Sequence, residues 1–208
     1  MEISELKFLH EERRSQIQKR LEDFKKVQTL EDKDIFAEFC FCLLTPQSKA
    51  FNCWNAVLEL KEKDLLENGH HKKISKVLQK KVRFHNNKAK YIEESRRLLE
   101  NGFKEKIING KAPFEVREWL VENVKGYGYK EASHFLRNIG FRDLAILDRH
   151  ILKNLVLLQV IPEIPKSLTE KKYFEIEEKF KSFSEKVGIP MDELDLLFWS
   201  MQAGKIFK

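Results

Sequence analysis

PFEVREWLVENVKGYGYKEASHFLRNIGFRDLAILDRHILKNLVLLQV, residues 113–160, is the stretch that decides the fold. Its apolar residues recur at helical spacing, and a proline and several glycines separate the helical runs. The proline can begin a helix over residues 114–123, a tight turn follows at 124–128, and a second helix begins near Tyr129. A short loop then leads to a third helix over residues 149–160. The stretch therefore predicts helix, turn, helix, loop, helix.

The turn between the first two helices is suited to binding an anion. Its two glycines lie two residues apart, which suits a positive φ and lets a phosphate approach the backbone without a Cβ in the way. The free N–H groups and the positive dipole end of the second helix lie at the same turn. We predict a phosphate grip formed by Val124, Lys125, Gly126 and Gly128. For Gly-x-Gly alone, an ordinary turn between two helices is the better interpretation.

Lys130 lies in the first turn of the second helix, where the helix dipole disfavours a positive charge. An amine there should lose its proton more readily than the amine of a free lysine, and packing near Phe135 would add desolvation. This is the usual route to a nucleophilic lysine. The alternative is an ordinary surface lysine, because 39 of the 208 residues are Lys or Arg and such residues are mostly exposed.

Asp148 follows the apolar run 144–147 and precedes the third helix, so it is a natural N-cap. A capping carboxylate is held rigidly and stays charged at neutral pH, and capping alone is the alternative role. A lysine that opens one helix and an aspartate that opens the next can both face one crevice. This pair suits displacement of a base from deoxyribose, since the carboxylate would stabilise an oxocarbenium-like charge while the amine bonds to C1′. The base must first be flipped out of the duplex.

The charge of the whole chain favours a polyanionic partner. The formal net charge is +6 and the pI is about 9.1. Between His70 and Lys90 there are eight basic residues and no acidic residue, and this basic run can coat phosphates. It comprises Lys72, Lys73, Lys76, Lys80, Lys81, Arg83, Lys88 and Lys90. A solvated helix face in a Lys/Glu-rich, heat-adapted protein explains the same run equally.

The remainder of the chain has the same helical character. Strand-like alternation is nearly absent, and the few prolines and glycines fall at plausible helix boundaries. These features predict an all-α protein of roughly ten helices. We expect two helical lobes, with the helix-hairpin-helix stretch at the cleft between them. Residues 31–140 would form the first lobe, and residues 1–30 together with 141–208 would form the second.

Cysteine usage and hydropathy predict the compartment. Cys40, Cys42 and Cys53 are odd in number and crowd into one apolar stretch, which favours reduced, buried packing residues. The N-terminus is charged, and no apolar run approaches the roughly 20 residues of a membrane span. We expect an intracellular monomer of the cytoplasm or nucleoid that has no membrane partner and needs neither a metal nor a cofactor.

Several segments resemble a known family. Residues 124–153 resemble the helix-hairpin-helix, Gly/Pro-rich loop and aspartate motif of DNA glycosylases. Within that superfamily, GYGYKEASHFLRNIG (126–140) and LAILDRHIL (144–152) resemble archaeal-type 8-oxoguanine DNA glycosylase/lyases, the second 8-oxoguanine glycosylase family. The likeness covers nearly the whole chain, including FCFCLLT (39–45) and the end from residue 194 to residue 208.

The resemblance assigns roles to residues of this chain. By it, Lys130 takes the place of the Schiff-base lysine and Asp148 that of the catalytic aspartate. Phe84 and Trp199 match the pocket for the oxidised base and would stack on the flipped ring. Lys208 would help to read the purine, and Asp195 is a weaker pocket candidate. Without the resemblance, Trp199 is better interpreted as core and Lys208 as a frayed end.

The chain departs from the family pattern after Thr45, where Pro46-Gln47 stands in place of the frequent Ala-Asn and leaves any pocket role of that turn open. A four-cysteine iron–sulfur loop near the C-terminus, typical of the endonuclease III branch, is also missing. The resemblance implies a bifunctional repair enzyme that flips 8-oxoguanine out of duplex DNA, excises it through a lysine Schiff base and cleaves the abasic strand by β-elimination. The alternatives are a glycosylase/lyase for another damaged base and a non-catalytic helix-hairpin-helix DNA-binding module.

Overall fold

The computed structural model describes residues 1–107 and 110–208, and 71% of these residues are helical. Within the described residues no β-strand occurs, so the predicted all-α class is confirmed. The α-helices are, in chain order, α1 (Ile3–Val27), α2 (Asp32–Leu44), α3 (Ala50–Glu62), α4 (Leu65–Asn68), α5 (His71–Leu78), α6 (His85–Ser95), α7 (Phe103–Ile107), α8 (Pro113–Asn123), α9 (Tyr129–Asn138), α10 (Arg149–Leu157), α11 (Glu170–Val187) and α12 (Met191–Ala203). A 3₁₀ helix, Arg96–Asn101, lies between α6 and α7.

The chain divides into two compact units. The middle unit is Lys26–Phe135, and the terminal unit combines Met1–Lys25 with Leu136–Lys208. The middle unit therefore contains α2 to α8 and the first part of α9, whereas the terminal unit contains most of α1 and all of α10 to α12. The predicted lobe boundaries, after residues 30 and 140, stay a prediction.

Aromatic side chains around α2 form the core of the middle unit. Every residue of α2 from 35 to 44 is buried, as is typical of a helix that is covered on all faces. The ring of Phe39 lies 4.6 Å from the ring of Tyr127 and 5.6 Å from the rings of Phe103 and Phe135. Because Tyr127 and Phe135 flank the start of α9, this packing fixes the beginning of α9 against α2.

Helix α12 is the buried helix of the terminal unit. Helices α10 and α11 both pack against it, and its Phe198 ring stacks on Phe180 of α11 at 6.2 Å. The buried carboxylate of Glu193 joins it to α1: Glu193 Oε2 lies 2.7 Å from His10 Nε2, and Glu193 Oε1 accepts a hydrogen bond from Gln18 at 2.6 Å. A buried charge needs such partners, so these contacts fix α1 on α12.

The start of α9 and the end of α10 can be compared with the helix boundaries predicted from the sequence. The second helix of the 113–160 stretch begins at Tyr129, which confirms the prediction. The prediction of a third helix through residue 160 is wrong, because α10 ends at Leu157. Gln159 adopts the left-handed φ of 57°, which ends the helix there.

Two predictions about buried and apolar residues can also be compared with the structure. Cys40, Cys42 and Cys53 are fully buried, which confirms the prediction that they are packing residues. Burial raises the pKa of the Cys53 thiol to about 11, so this thiol stays protonated and unreactive at neutral pH. Among the helices of the described residues, none has both the length and the apolar character to cross a lipid bilayer.

Candidate active site

Tyr127 anchors the turn between α8 and α9. Its hydroxyl donates a hydrogen bond to the carbonyl of Phe39 at 2.8 Å, and its buried ring stacks on the Phe39 ring. Burial raises the pKa of the Tyr127 hydroxyl well above its usual range, so the hydroxyl remains a donor at neutral pH. Sequence reasoning missed this anchor, although a tyrosine between two glycines is a signal that a turn is tied to a core.

We expected a positive φ at both glycines of the turn. Gly126 has one, whereas the expectation is wrong for Gly128. Gly126 has a φ of 87°, and a Cβ at this position would lie 2.7 Å from Cδ2 of Tyr91. Gly128 lacks a positive φ because it leads into α9, where its carbonyl accepts a hydrogen bond from the N–H of Ala132 at 3.0 Å. Of the two glycines, Gly126 is therefore the one whose conformation and surroundings require the absence of a side chain.

The predicted phosphate grip at the start of α9 already has an anionic neighbour. The N–H of Gly128 donates to Oε2 of Glu131 at 3.2 Å. Val124 is buried, whereas the side chain of Lys125 is 71% exposed and lies 3.1 Å from Glu94. A phosphate bound at this turn would thus share the Gly128 N–H with Glu131, and Lys125 is the accessible cation beside it.

Lys130 is held by two side-chain oxygens. Its Nζ donates a hydrogen bond to Oγ1 of Thr45 at 2.9 Å and lies 3.2 Å from Oε1 of Glu131. The Thr45 hydroxyl in turn donates to the carbonyl of Cys42 at 2.8 Å, so its lone pairs are directed to the amine. The Lys130 side chain is 21% exposed. Sequence reasoning missed both partners; the proximity of Glu131 in the chain was the one available signal.

Asp148 caps α10 as expected from the sequence. Its Oδ1 accepts hydrogen bonds from the N–H groups of His150 at 2.7 Å and Ile151 at 2.9 Å. Its second oxygen, Oδ2, accepts no hydrogen bond from the described residues. The preceding loop is fixed too, since the N–H of Ala145 donates to Glu177 at 2.8 Å. The arrangement is a rigid carboxylate with one oxygen available for another partner.

The candidates for a base pocket lie in both units. Phe84, in the middle unit, is 51% exposed and adopts a left-handed φ of 57° as the residue before α6. Trp199, in α12 of the terminal unit, is half-buried, whereas the adjacent Phe198 is fully buried. The ring of Trp199 stacks on Phe207 at 5.9 Å, and Lys208 is half-buried. Phe84 and Trp199 therefore both retain aromatic surface outside the core.

Asp195 occupies a different environment from the other pocket candidates. It is buried in the terminal unit, and its Oδ2 lies 3.4 Å from Nη1 of Arg137, which is also buried. The guanidinium of Arg137 also lies over the ring of Phe24, 4.8 Å from its centre. Asp195 thus takes part in a buried ion pair, a structural contact that the sequence did not indicate.

Two lysines of the basic run already have partners within the protein. Lys88 is buried, with its ammonium group among three oxygen atoms of the protein. Lys81 is paired with the carboxylate of Glu59. The expectation that all eight basic residues coat phosphates is therefore wrong for Lys88, since a buried ammonium group cannot reach a phosphate.

His70, His71 and Glu93 form the group of candidate metal ligands found among the described residues, with ligand atoms within 4.8 Å of one another. These atoms already have protein partners. Nδ1 of His71 lies 2.6 Å from Oε2 of Glu93, and the His70 side chain accepts a hydrogen bond from the N–H of Lys72 at the start of α5. The group thereby joins α5 to α6. The absence of a metal site stays a prediction.

Known proteins resemble this chain over almost its full length. The family model of 8-oxoguanine DNA glycosylases matches residues 17–189. A relative from Fusobacterium nucleatum, named 8-oxoguanine DNA glycosylase/AP lyase, is 49% identical, and the match covers 99% of this chain and 97% of the relative. A relative of the same name from Methanocaldococcus jannaschii is 38% identical, with 99% and 97% covered.

Solved structures give the same result. The crystal structure of the 8-oxoguanine DNA glycosylase of Thermotoga maritima matches with a TM-score of 0.90 at 35% identity, covering 99% of this chain and 98% of that one. The Methanocaldococcus jannaschii 8-oxoguanine glycosylase/lyase in complex with a 15mer DNA containing 8-oxoguanine matches with a TM-score of 0.90 at 36% identity, covering 99% of both chains. The chain therefore belongs to the 8-oxoguanine DNA glycosylase family.

Proposed function

We propose that this chain removes 8-oxoguanine from duplex DNA and then cleaves the strand at the abasic site, with Lys130 as the nucleophile and Asp148 as the stabilising carboxylate. The observation that carries the proposal is the Lys130 amine, which Thr45 and Glu131 hold in the first turn of α9 directly after the Gly-x-Gly turn. The names of the relatives support the two activities, and the DNA-bound relative supports duplex DNA as the partner.

The first step exchanges one bond at C1′ of the damaged nucleotide. A neutral lysine amine has two N–H groups and one lone pair. With Thr45 and Glu131 accepting the N–H groups, the lone pair remains for attack on C1′. As the new N–C1′ bond forms, the glycosidic bond breaks and its electron pair leaves with the base, which takes up a proton. Asp148 stabilises the positive charge that develops on the sugar.

The second step cleaves the strand. The new nitrogen carries two protons, and the departing base takes up one of them. As the C1′–O4′ bond breaks, the second proton is transferred to O4′ and the nitrogen lone pair forms a double bond to C1′, so the link to Lys130 becomes a Schiff base and the sugar ring opens. The electron-poor imine acidifies C2′, and loss of a C2′ proton expels the 3′-phosphate. Water then hydrolyses the link and returns the free amine. These steps use side chains, water and the DNA itself, and no metal or cofactor takes part.

The flipped base is held, in this proposal, by stacking on Phe84 and Trp199 and by Lys208. The exposed aromatic surface of Phe84 and Trp199 supports the stacking role. Asp195 is the weakest of the assigned residues, because Arg137 already pairs with it. Val124, Lys125, Gly126 and Gly128 would hold a phosphate of the same strand, with Lys125 and Gly126 as the exposed members.

The proposed substrate also bears on where the enzyme works. Because its substrate is DNA, the enzyme would work inside the cell, in the cytoplasm or nucleoid. We also propose a monomer, since the proposed reaction uses no residue of a second copy. Sedimentation at several protein concentrations, with and without a DNA duplex, measures the oligomeric state. A concentration-dependent dimer of the protein alone would contradict the monomer.

Borohydride trapping tests the proposed function. The protein would be incubated with duplexes that carry 8-oxoguanine, uracil or a pyrimidine hydrate, and the covalent adduct and the cleaved strand would be measured. We expect adduct and cleavage with the 8-oxoguanine duplex. Lys130→Gln should abolish both, because an amide cannot form a Schiff base, whereas Lys63→Gln, at a lysine that is 52% exposed, should leave both unchanged.

Each other result would contradict a different part of the proposal. Preference for uracil or the hydrate would overturn the base assignment. Trapping by Lys130→Gln at the wild-type level would assign the nucleophile to another residue. DNA binding without any adduct would identify a non-catalytic binding module.

A further inference from the structure

Lys88 is a buried lysine that the proposed reaction does not use directly. It lies in α6, and its side chain is almost completely buried. Its Nζ donates hydrogen bonds to the carbonyl of Leu44 at 2.8 Å, the carbonyl of Pro46 at 2.7 Å and Oγ of Ser48 at 3.1 Å. Three acceptors match the three N–H groups of an ammonium ion, so the group is fully hydrogen-bonded. A buried charge with a complete set of partners is a rigid anchor.

The anchor holds both sides of Thr45. Leu44 is the last residue of α2, Thr45 is its C-cap, and residues 45–48 form the turn that leads to α3. The carbonyls of Leu44 and Pro46, which accept from Lys88, flank Thr45 in the chain. A cation beside the C-terminal carbonyls of α2 is also favoured by the helix dipole. Lys88 thus bonds the carbonyls on both sides of the residue whose hydroxyl accepts the hydrogen bond from Lys130.

The same anchor reaches the segment that carries Phe84. Oγ of Ser48 accepts a hydrogen bond from the N–H of Arg83 at 3.0 Å, in addition to the bond from Lys88. The guanidinium of Arg83 lies over the Phe84 ring, 5.5 Å from its centre. Lys88 itself follows one helical turn after Phe84, and its N–H donates to the Phe84 carbonyl at 3.0 Å. One lysine thus links the 45–48 turn to the residue before α6.

The charge state of Lys88 is compatible with this role. Burial lowers the pKa of Lys88 to about 8; the nearby cations Lys130 and Arg83 also lower it, whereas the carboxylate of Glu131 raises it. The ammonium form, with three donors, therefore predominates at pH 7.

Among the described residues, an apolar side chain of the same length in place of Lys88 would leave the Leu44 carbonyl with only the Cys53 thiol, at 3.2 Å. It would leave the Pro46 carbonyl, among the same residues, with only the Ser48 hydroxyl, at 3.3 Å. A thiol and a long hydroxyl contact are weaker donors than an ammonium group, so the two carbonyls could shift to find water or another partner.

We propose that Lys88 is a positioning residue for the glycosylase reaction: it holds the 45–48 turn so that the Thr45 hydroxyl accepts a hydrogen bond from Lys130 and orients the nucleophilic amine. The proposal rests on the proposed function of Lys130. Lys88 does not touch the substrate in this scheme. It acts through Thr45, and the loss of either residue should misplace the amine by the same route.

Single-turnover kinetics on an 8-oxoguanine duplex test the proposal. Lys88→Met keeps the apolar stem and removes the three donors, and we expect the rate of base removal to fall on the order of 10- to 100-fold, the effect of misplacing a reacting group by about 1 Å. The dissociation constant for a duplex with an uncleavable abasic-site analogue should change less than about threefold. Lys63→Met, which removes a charge from an exposed position in the same unit, should excise at the wild-type rate.

A double-mutant cycle separates positioning from a general loss of structure. Thr45→Val removes the hydroxyl and keeps the shape, and it should slow base removal by a similar factor. The double variant Lys88→Met/Thr45→Val should be hardly slower than either single variant, because both changes act on one contact. Losses that multiply would overturn the proposal, since they would mean independent effects.

The outcomes also distinguish this inference from the proposed function. If the wild-type protein forms no borohydride-trapped adduct, the proposed function fails. If the wild type reacts and Lys88→Met excises within about twofold of it, the positioning role alone is overturned. If Lys88→Met does not fold, as judged by circular dichroism, Thr45→Val decides: a wild-type rate in that variant would overturn the proposal, and a 10- to 100-fold loss would support it.

Discussion

The two proposed catalytic groups are held in different ways. Lys130, in the middle unit, bonds to the hydroxyl of Thr45, which lies 85 residues earlier in the chain. Asp148, in the terminal unit, accepts hydrogen bonds from His150 and Ile151, two and three residues later. The carboxylate is thus fixed by its own helix, whereas the amine depends on how α9 packs against the end of α2.

The difference determines which substitutions should disturb the orientation of each group. A local cap forms whenever its helix forms, so the orientation of Asp148 should survive substitutions elsewhere in the terminal unit. A hydrogen bond between distant segments is lost when either segment shifts. Residues remote from the chemistry, such as Lys88, should therefore matter more for the amine than for the carboxylate.

Replacement of Asp148 should give the largest effect and would test the contrast most directly. In Asp148→Asn the amide oxygen can still accept the N–H groups of His150 and Ile151, so the melting temperature should hardly change. The negative charge is lost, and the single-turnover rate of base removal should fall on the order of 10²- to 10³-fold. Excision rates and thermal unfolding would be measured on the same preparations.

Another cap in the terminal unit provides the control. Thr169 caps α11, where its hydroxyl accepts a hydrogen bond from the N–H of Lys172 at 3.3 Å. Thr169→Val should lower the free energy of unfolding by about 1 kcal/mol and leave the excision rate unchanged. A near-normal excision rate in Asp148→Asn would reduce Asp148 to a cap of the same kind, and the contrast with Lys130 would disappear.

The two units also differ in how completely a buried charged group is hydrogen-bonded. Lys88, in the middle unit, donates to three oxygens. Asp192, in the terminal unit, has Arg142 at 3.9 Å and the N–H of Asp143 at 3.4 Å, while its buried Oδ1 has no hydrogen-bond partner among the described residues. Burial raises the pKa of Asp192 to about 6, although Arg142 lowers it. The terminal unit thus contains the less well satisfied charge.

The pH dependence of stability should reveal this difference. The pKa of Asp192 is about 6 in the folded protein and near 3.8 when unperturbed, so between these values the folded state retains a proton that the unfolded state has lost. The stabilisation is complete below pH 3.8 and is lost as the pH rises through 6, at a cost of about 3 kcal/mol. Urea unfolding of the wild type and Asp192→Asn at pH 4, 5, 6 and 7 measures this contribution.

The variant isolates the contribution of one carboxyl group. All other titrating groups are shared, so the difference between the two free-energy curves belongs to Asp192. We expect Asp192→Asn to gain stability relative to the wild type between pH 4 and pH 6 and to keep that gain at pH 7. Parallel curves would show that Asp192 titrates alike in the folded and unfolded states.

Local features of this molecule were predictable from sequence, and long-range features were not. The Asp148 cap and the start of α9 at Tyr129 follow from residue type and spacing. No spacing rule links Thr45 to Lys130. Lys88 reads in the sequence as one more cation of a basic run, because a charge pattern does not show which lysine is buried against carbonyl groups. The fold class followed from helical periodicity, and the pocket residues followed from family resemblance alone.

Removal of Lys208 should give the smallest effect, and it would show whether this residue of the terminal unit contacts the flipped base or the DNA backbone. Phe207 stacks on Trp199, and the next residue, Lys208, is half-buried. If its ammonium group contacts the flipped purine, deletion of Lys208 should lower the preference for 8-oxoguanine over guanine about tenfold, the value of one charge-assisted hydrogen bond. Binding to the abasic-site duplex should weaken only about twofold, as for loss of one exposed charge.

Lys205→Met, which removes an exposed cation three residues earlier, should leave the preference unchanged. Equal losses in preference and binding after deletion of Lys208 would assign this residue to the DNA backbone, because a phosphate contact contributes alike to damaged and undamaged strands.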